Sequence, residues 1–102
     1  MHVSFVRSGG FAGILLTANL DSKTLPVDEL SVLEREVADA SFFDLPEKLL
    51  PAAPVPDGFE YEITVDSSNQ THTVRVGEPL VAESLRPLID HLVNLARTGK
   101  YR

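Results

Sequence analysis

A chain of 102 residues with 43% hydrophobic content is sized for one globular domain, read here as spanning 1–102. The absence of cysteine excludes disulfides, a thiolate metal site and a catalytic thiol, so the fold depends on packing. Nine Lys plus Arg against fifteen Asp plus Glu give a charge of −6, and only Arg97, Lys100 and Arg102 lie close together, so the basic patch that nucleic acid or an anionic membrane demands is missing.

The first extended run is His2 to Arg7, with Val3 and Phe5 on one side. Ser8-Gly9-Gly10 leads to a second run, Phe11 to Leu20, and two such runs joined by Gly-Gly predict a hairpin, because glycine takes the positive φ of a primed turn without steric cost. Gly13, inside the second run, predicts a bulge or a close backbone approach. Pro26, Asp28 and Glu29 then suit a helix start, and Leu30, Leu33, Val37 and Ala40 form one apolar face of a helix over 26–41, with Glu29, Arg35, Glu36 and Asp39 largely on the other.

Between 42 and 58 the four prolines 46, 51, 54 and 56 exclude a long helix or a central strand, yet Phe42, Phe43, Leu45, Leu49 and Leu50 are too apolar for a free linker. The segment reads as a strap over the core. From Phe59 to Asp66 the alternation of Phe59, Tyr61, Ile63 and Val65 with Glu60, Glu62, Thr64 and Asp66 predicts a strand with one wet face. A turn at 67–70 returns the chain as a strand from Thr71 to Val76. Ser84 can cap a last helix whose stripe is Leu85, Leu88, Ile89, Leu92, Leu95 and Ala96, with Pro87 in its first turn and Gly99 at its end. The expected fold is α+β: two hairpins forming a four-stranded antiparallel sheet, with two helices packed on it.

The N-terminus lacks the charged start and apolar stretch of a signal peptide, and the apolar runs are far too short to span a bilayer, so a cytoplasmic protein without a membrane partner is expected. No long exposed apolar edge compels a dimer, and a monomer is expected. His2, His72 and His91 have no partner at a metal-ligand spacing; His72 is read as lining the sheet and His91 as facing water. There is no Gly-x-Ser-x-Gly elbow, and Gly9-Gly10 lacks the Lys and following helix of a phosphate cradle. No catalytic residue, metal or cofactor is expected. What the fold alone does not require is the hairpin tip Arg7-Ser8-Gly9-Gly10-Phe11-Ala12-Gly13. Either it is a glycine turn with Phe11 tucked into the core, or it brings backbone close to a partner with Phe11 or Arg7 as anchor.

The run Met1-His2-Val3 through Arg7-Ser8-Gly9-Gly10-Phe11-Ala12-Gly13 resembles the start of the emfourin family. Ala40-Ser41-Phe42-Phe43-Asp44-Leu45-Pro46, Pro56-Asp57-Gly58-Phe59-Glu60-Tyr61, Thr71-His72-Thr73-Val74 and Leu85-Arg86-Pro87-Leu88-Ile89 fit the same pattern in order and spacing. The resemblance implies a cystatin-like fold and tight reversible inhibition of a thermolysin-like metallopeptidase, protealysin or a relative. The binding residues expected from loop chemistry and resemblance together are Met1, His2, Arg7, Ser8, Gly9, Gly10 and Phe11. Gly9 and Gly10 allow main-chain approach, Phe11 fills an apolar pocket, Arg7 or Ser8 bonds at the rim, and Met1 and His2 add a flank. Occlusion of the cleft is expected without ligation of the enzyme's zinc by His2. Two rival readings are a non-catalytic adaptor or assembly factor for another protein, and a small enzyme built from His72, Asp66 and a serine.

Overall fold

The computed structural model describes residues 1–10, 13–53 and 55–102. In chain order it contains β1 (His2–Gly9), β2 (Leu16–Asp21), α1 (Val27–Asp39), a 3-10 turn at Phe42–Asp44, β3 (Lys48–Leu49), β4 (Phe59–Ser67), β5 (Gln70–Gly77), a second 3-10 turn at Glu83–Leu85, and α2 (Arg86–Arg97).

The class is α+β with two helices, but the sheet is five-stranded and mixed rather than four-stranded and antiparallel. Its order is β2-β1-β4-β5-β3. The two hairpins join through antiparallel pairing of β1 with β4, and β3 adds a parallel edge, Lys48 opposite Arg75 and Leu49 opposite Val76. Pro46 and Pro51 hold this stretch extended, and the Arg75 amide donates to the Glu47 carbonyl at 2.8 Å, so a strap too short to look like a strand still closes part of an edge.

One face of the sheet carries the core. Val3 and Phe5, Ala18 and Leu20, Tyr61, Ile63 and Val65, and Val74 and Val76 meet the helix stripes Leu33–Val37 and Leu88–Ile89–Leu92 in a single buried cluster. All six residues of the α2 stripe, Leu85 included, are buried. The strap contributes Phe42, fully buried, with Phe43, Leu45 and Leu49 packed beside it. On the other face Ser4, Val6, Glu62, Thr64 and Thr73 are none of them buried, and the Thr64 and Thr73 hydroxyls bond to each other at 2.8 Å.

Three local expectations are corrected. The first hairpin is not closed by a Gly-Gly turn: its last pair is Arg7 with Leu16, while β1 continues along β4 as far as Gly9 opposite Phe59. The chain past Arg7 therefore follows β4, and the described residues 13–15 belong to a connection that leads into β2. Gly13 lies in this connection rather than inside a strand, at φ +65 with nothing near its absent side chain. Ser84 caps nothing, because it sits inside a 3-10 turn that runs directly into α2, whose N-cap is Leu85 with no side-chain bond.

Candidate functional site

Four strand ends meet at one end of the sheet: β1 finishes, β2 begins, β4 begins and β5 finishes there. Gly9 and Gly10, both at positive φ, lead β1 out of the sheet. A Cβ on Gly9 would overlap the Gly58 carbonyl, and one on Gly10 would overlap the Phe59 ring. Glycine is thus needed at both positions twice over, for conformation and for space. The Gly10 amide reaches the Gly58 carbonyl at 3.4 Å, and Gly58 is itself closed onto Val55 by a 3.0 Å bond through a turn in which Asp57 is left-handed.

Beneath this tip an aromatic ladder runs out of the core. Phe5 stacks near Tyr61 at 6.3 Å, Tyr61 meets Phe59 at 6.4 Å, and the Arg7 guanidinium lies 4.2 Å over the Phe59 ring. The Tyr61 hydroxyl donates to Glu78, whose carboxylate also receives both arms of Arg86 at 2.8 and 2.9 Å. Arg86 holds the Glu78 carboxyl below its ordinary value, while burial first and Glu78 second push the Tyr61 phenol up. These bonds tie the β5 exit and α2 to β4, the strand beside the one that carries the tip.

This end exposes large apolar side chains among its polar ones. Ile14 and Leu15, just before β2, are 68% and 63% exposed, and Val55 and Leu80 are exposed in the connections that lead into β4 and out of β5 at the same end. Of the large apolar side chains exposed among the described residues, Val27 alone lies elsewhere, at the start of α1. A cleft of about 310 Å³ opens alongside, between Leu50, Pro51 and Val55 of the strap and Phe59 and Glu78 of the sheet.

Of the residues expected from sequence, Arg7, Ser8, Gly9 and Gly10 are together at this end. Phe11 lies outside the described residues. Met1 and His2 are at the opposite end of β1, roughly 23 Å away for seven steps of strand, where His2 faces Asp21 at 3.6 Å. Ile14, Leu15, Val55 and Leu80 were missed. Ile14 and Leu15 read as strand residues, and the only signal against that was the third glycine just before them.

The rival catalytic grouping does not assemble. His72 lies on the helix side, its Nε2 2.7 Å from the Leu45 carbonyl and its ring against Phe42, whereas Asp66 is on the open face, accepting from Thr71. His91 does not face water: it is 15% exposed, with Nδ1 2.6 Å from Glu36 and Nε2 2.6 Å from Glu29. Among the described residues no group of three or more His, Cys, Asp or Glu is arranged to hold a metal, and no helix is long and apolar enough to cross a membrane.

What this defines is an α+β scaffold that braces a glycine-led loop end with exposed apolar side chains, an arrangement suited to binding another macromolecule. The model of the Emfourin family matches residues 5–93, and the chain belongs to that family. No curated protein matches the chain, and the expected cystatin likeness finds no matching solved structure.

Proposed function

We propose that the protein is an inhibitor of thermolysin-like metallopeptidases of the protealysin kind. It acts as a monomer by seating the glycine end of its sheet in the enzyme's cleft, where it excludes substrate. The observation that carries this reading is membership of the emfourin family over residues 5–93. The apolar rim supports it, because exposed side chains of this size at one end of a small acidic protein mark a docking surface. So does the bracing of Gly10 against Phe59 and Gly58, since a tip already held in its bound shape loses little freedom on binding.

On this reading Gly9 and Gly10 let the main chain approach the cleft, Phe11 is the pocket-filling group, and the exposed Ile14, Leu15, Val55 and Leu80 exclude water from the seated end. Met1 and His2, at the far end of β1, take no part in occluding the cleft, and ligation of the enzyme's zinc by His2 is not part of the mechanism. The test is a titration of thermolysin with the protein while peptide hydrolysis is followed. Stoichiometric loss of activity is expected. Undiminished hydrolysis at micromolar excess over several such peptidases would sink the reading in favour of an adaptor for another partner.

A further inference from the structure

Three arginines of this chain are partly buried: Arg7, Arg75 and Arg86. Arg75 meets Glu60 at 2.6 Å and Arg86 grips Glu78 with both arms. Arg7 has no such partner among the described residues, and its Nε is the one buried side-chain nitrogen or oxygen there without a hydrogen bond. The remaining basic side chains, Lys23, Arg35, Lys48, Arg97, Lys100 and Arg102, are exposed and need none. In a chain where acidic residues outnumber basic ones fifteen to nine, this leaves one half-buried cation uncompensated, and it stands at the glycine end.

The Phe59 ring accounts for one face of the guanidinium but not for its edge. Stacking at 4.2 Å satisfies the charge partly through the π face and fixes the plane; Nε is shut in without an acceptor, while the two terminal nitrogens, which are not buried, lie in the same plane with no acceptor among the described residues. A planar fork held at fixed orientation is the geometry that matches a carboxylate with two parallel hydrogen bonds. Arg7 also sits at the end where the exposed side chains Ile14, Leu15, Val55 and Leu80 gather, so docking removes water around it and strengthens any charge pair formed.

We infer that the Arg7 guanidinium, held flat on Phe59 with the edge of its two terminal nitrogens unburied, receives an Asp or Glu side chain of the bound protein on that edge. This rests on the reading that the glycine end is the docking surface. The pair completes a site that the free protein leaves half made, and it gives this end a fixed register on its partner.

The experiment compares the wild type with Arg7→Gln and Arg7→Lys in titrations of thermolysin at low and high salt, with melting temperatures measured in parallel. Arg7→Gln is expected to raise the inhibition constant by roughly 10- to 100-fold and to flatten its salt dependence. Arg7→Lys keeps the charge without the fork and is expected to recover only part of the loss. Both variants are expected to melt within a few degrees of the wild type, which separates recognition from folding. Equal inhibition by wild type and Arg7→Gln overturns the pairing alone. So does full inhibition by Arg7→Lys combined with loss tracking melting temperature in Arg7→Gln. A wild type that leaves thermolysin and its relatives untouched overturns the docking reading and the pairing with it.

Discussion

His91 offers a prediction whose sign follows from geometry. It projects from α2 between two carboxylates of α1, with Glu36 2.6 Å from Nδ1 and Glu29 2.6 Å from Nε2. Both contacts are favourable only when both ring nitrogens carry protons, that is, when the ring is an imidazolium. Burial alone works to lower its pKa, but the two carboxylates outweigh it and the value is raised above 6.5. A folded-state pKa above the unfolded one means that the stabilisation is fully present below about pH 6.5 and is lost as pH rises through the elevated folded value.

The magnitude comes from the two arms separately. Glu36 is 16% exposed, and a charge-assisted bond at such a site contributes about 1.5–3 kcal/mol. Glu29 is 43% exposed, so screening reduces its arm to about 0.5–1 kcal/mol. His91→Gln should therefore lower stability by about 2–4 kcal/mol near pH 6, or roughly 8–20 °C in melting temperature for a domain of this size. Once pH has risen past the elevated folded value the neutral ring donates to only one carboxylate, and the gap between wild type and variant should shrink to about half or less. Thermal melts followed by circular dichroism across that range measure it. A gap that stays constant with pH, or widens, would show that His91 is neutral in the folded protein and refute the argument.

Gly10→Val should lower stability by about 1–3 kcal/mol, because φ is +78 and the new side chain collides with the Phe59 ring; a melting curve and an inhibition titration on the same sample should fall together. Leu15→Asp combined with Leu80→Asp should leave melting within a few degrees, both residues being exposed, and weaken inhibition of thermolysin by at least about tenfold. Glu78→Gln should cost about 1–3 kcal/mol at neutral pH by leaving Arg86 without its carboxylate. Since the Glu78 pKa is lowered from 4.5, that difference should be present above pH 4.5 and disappear as pH falls through the folded value, which acid titration of both proteins checks.

Much of the fold was legible because its signals are local. The alternation from Phe59 onward and the α2 stripe each repeat with one period over a whole element, and every apolar position they named is buried or packed on the core. What escaped depends on distant partners. Lys48–Leu49 becomes a strand only because Arg75 and Val76 lie alongside, and two residues between prolines carry no period to read. His91 looked like a solvent-facing helix residue, but its partners are 55 and 62 positions away. Ile14 and Leu15 extended an apolar run and so passed for strand, whereas the register of β1 on β4 releases them into a connection. At the site, the glycine tip was visible from its composition. The separation of Met1 and His2 from it was legible too, since the extended run His2 to Arg7 lies between them; the structure adds that β1 continues unbroken to Gly9.

That unbroken strand also bears on where a partner can attach. A small sheet offers another chain two routes: pairing along an open edge, or docking on loops at an end. Both edges here are partly blocked. The Asn19 amide of β2 donates to the Tyr101 carbonyl of the C-terminal segment, and on β5 the outward amide of Arg75 is taken by Glu47. The hairpin end at 67–70 carries the polar residues Ser68, Asn69 and Gln70, all exposed. The glycine end, by contrast, combines exposed apolar side chains, an arginine without a carboxylate and a backbone braced by Gly58 and Phe59. Strand-edge recognition would draw on main-chain bonds and tolerate substitutions at positions 14, 15 and 80, whereas docking at the end would not. The Leu15→Asp and Leu80→Asp pair therefore separates the two routes as well as testing the site.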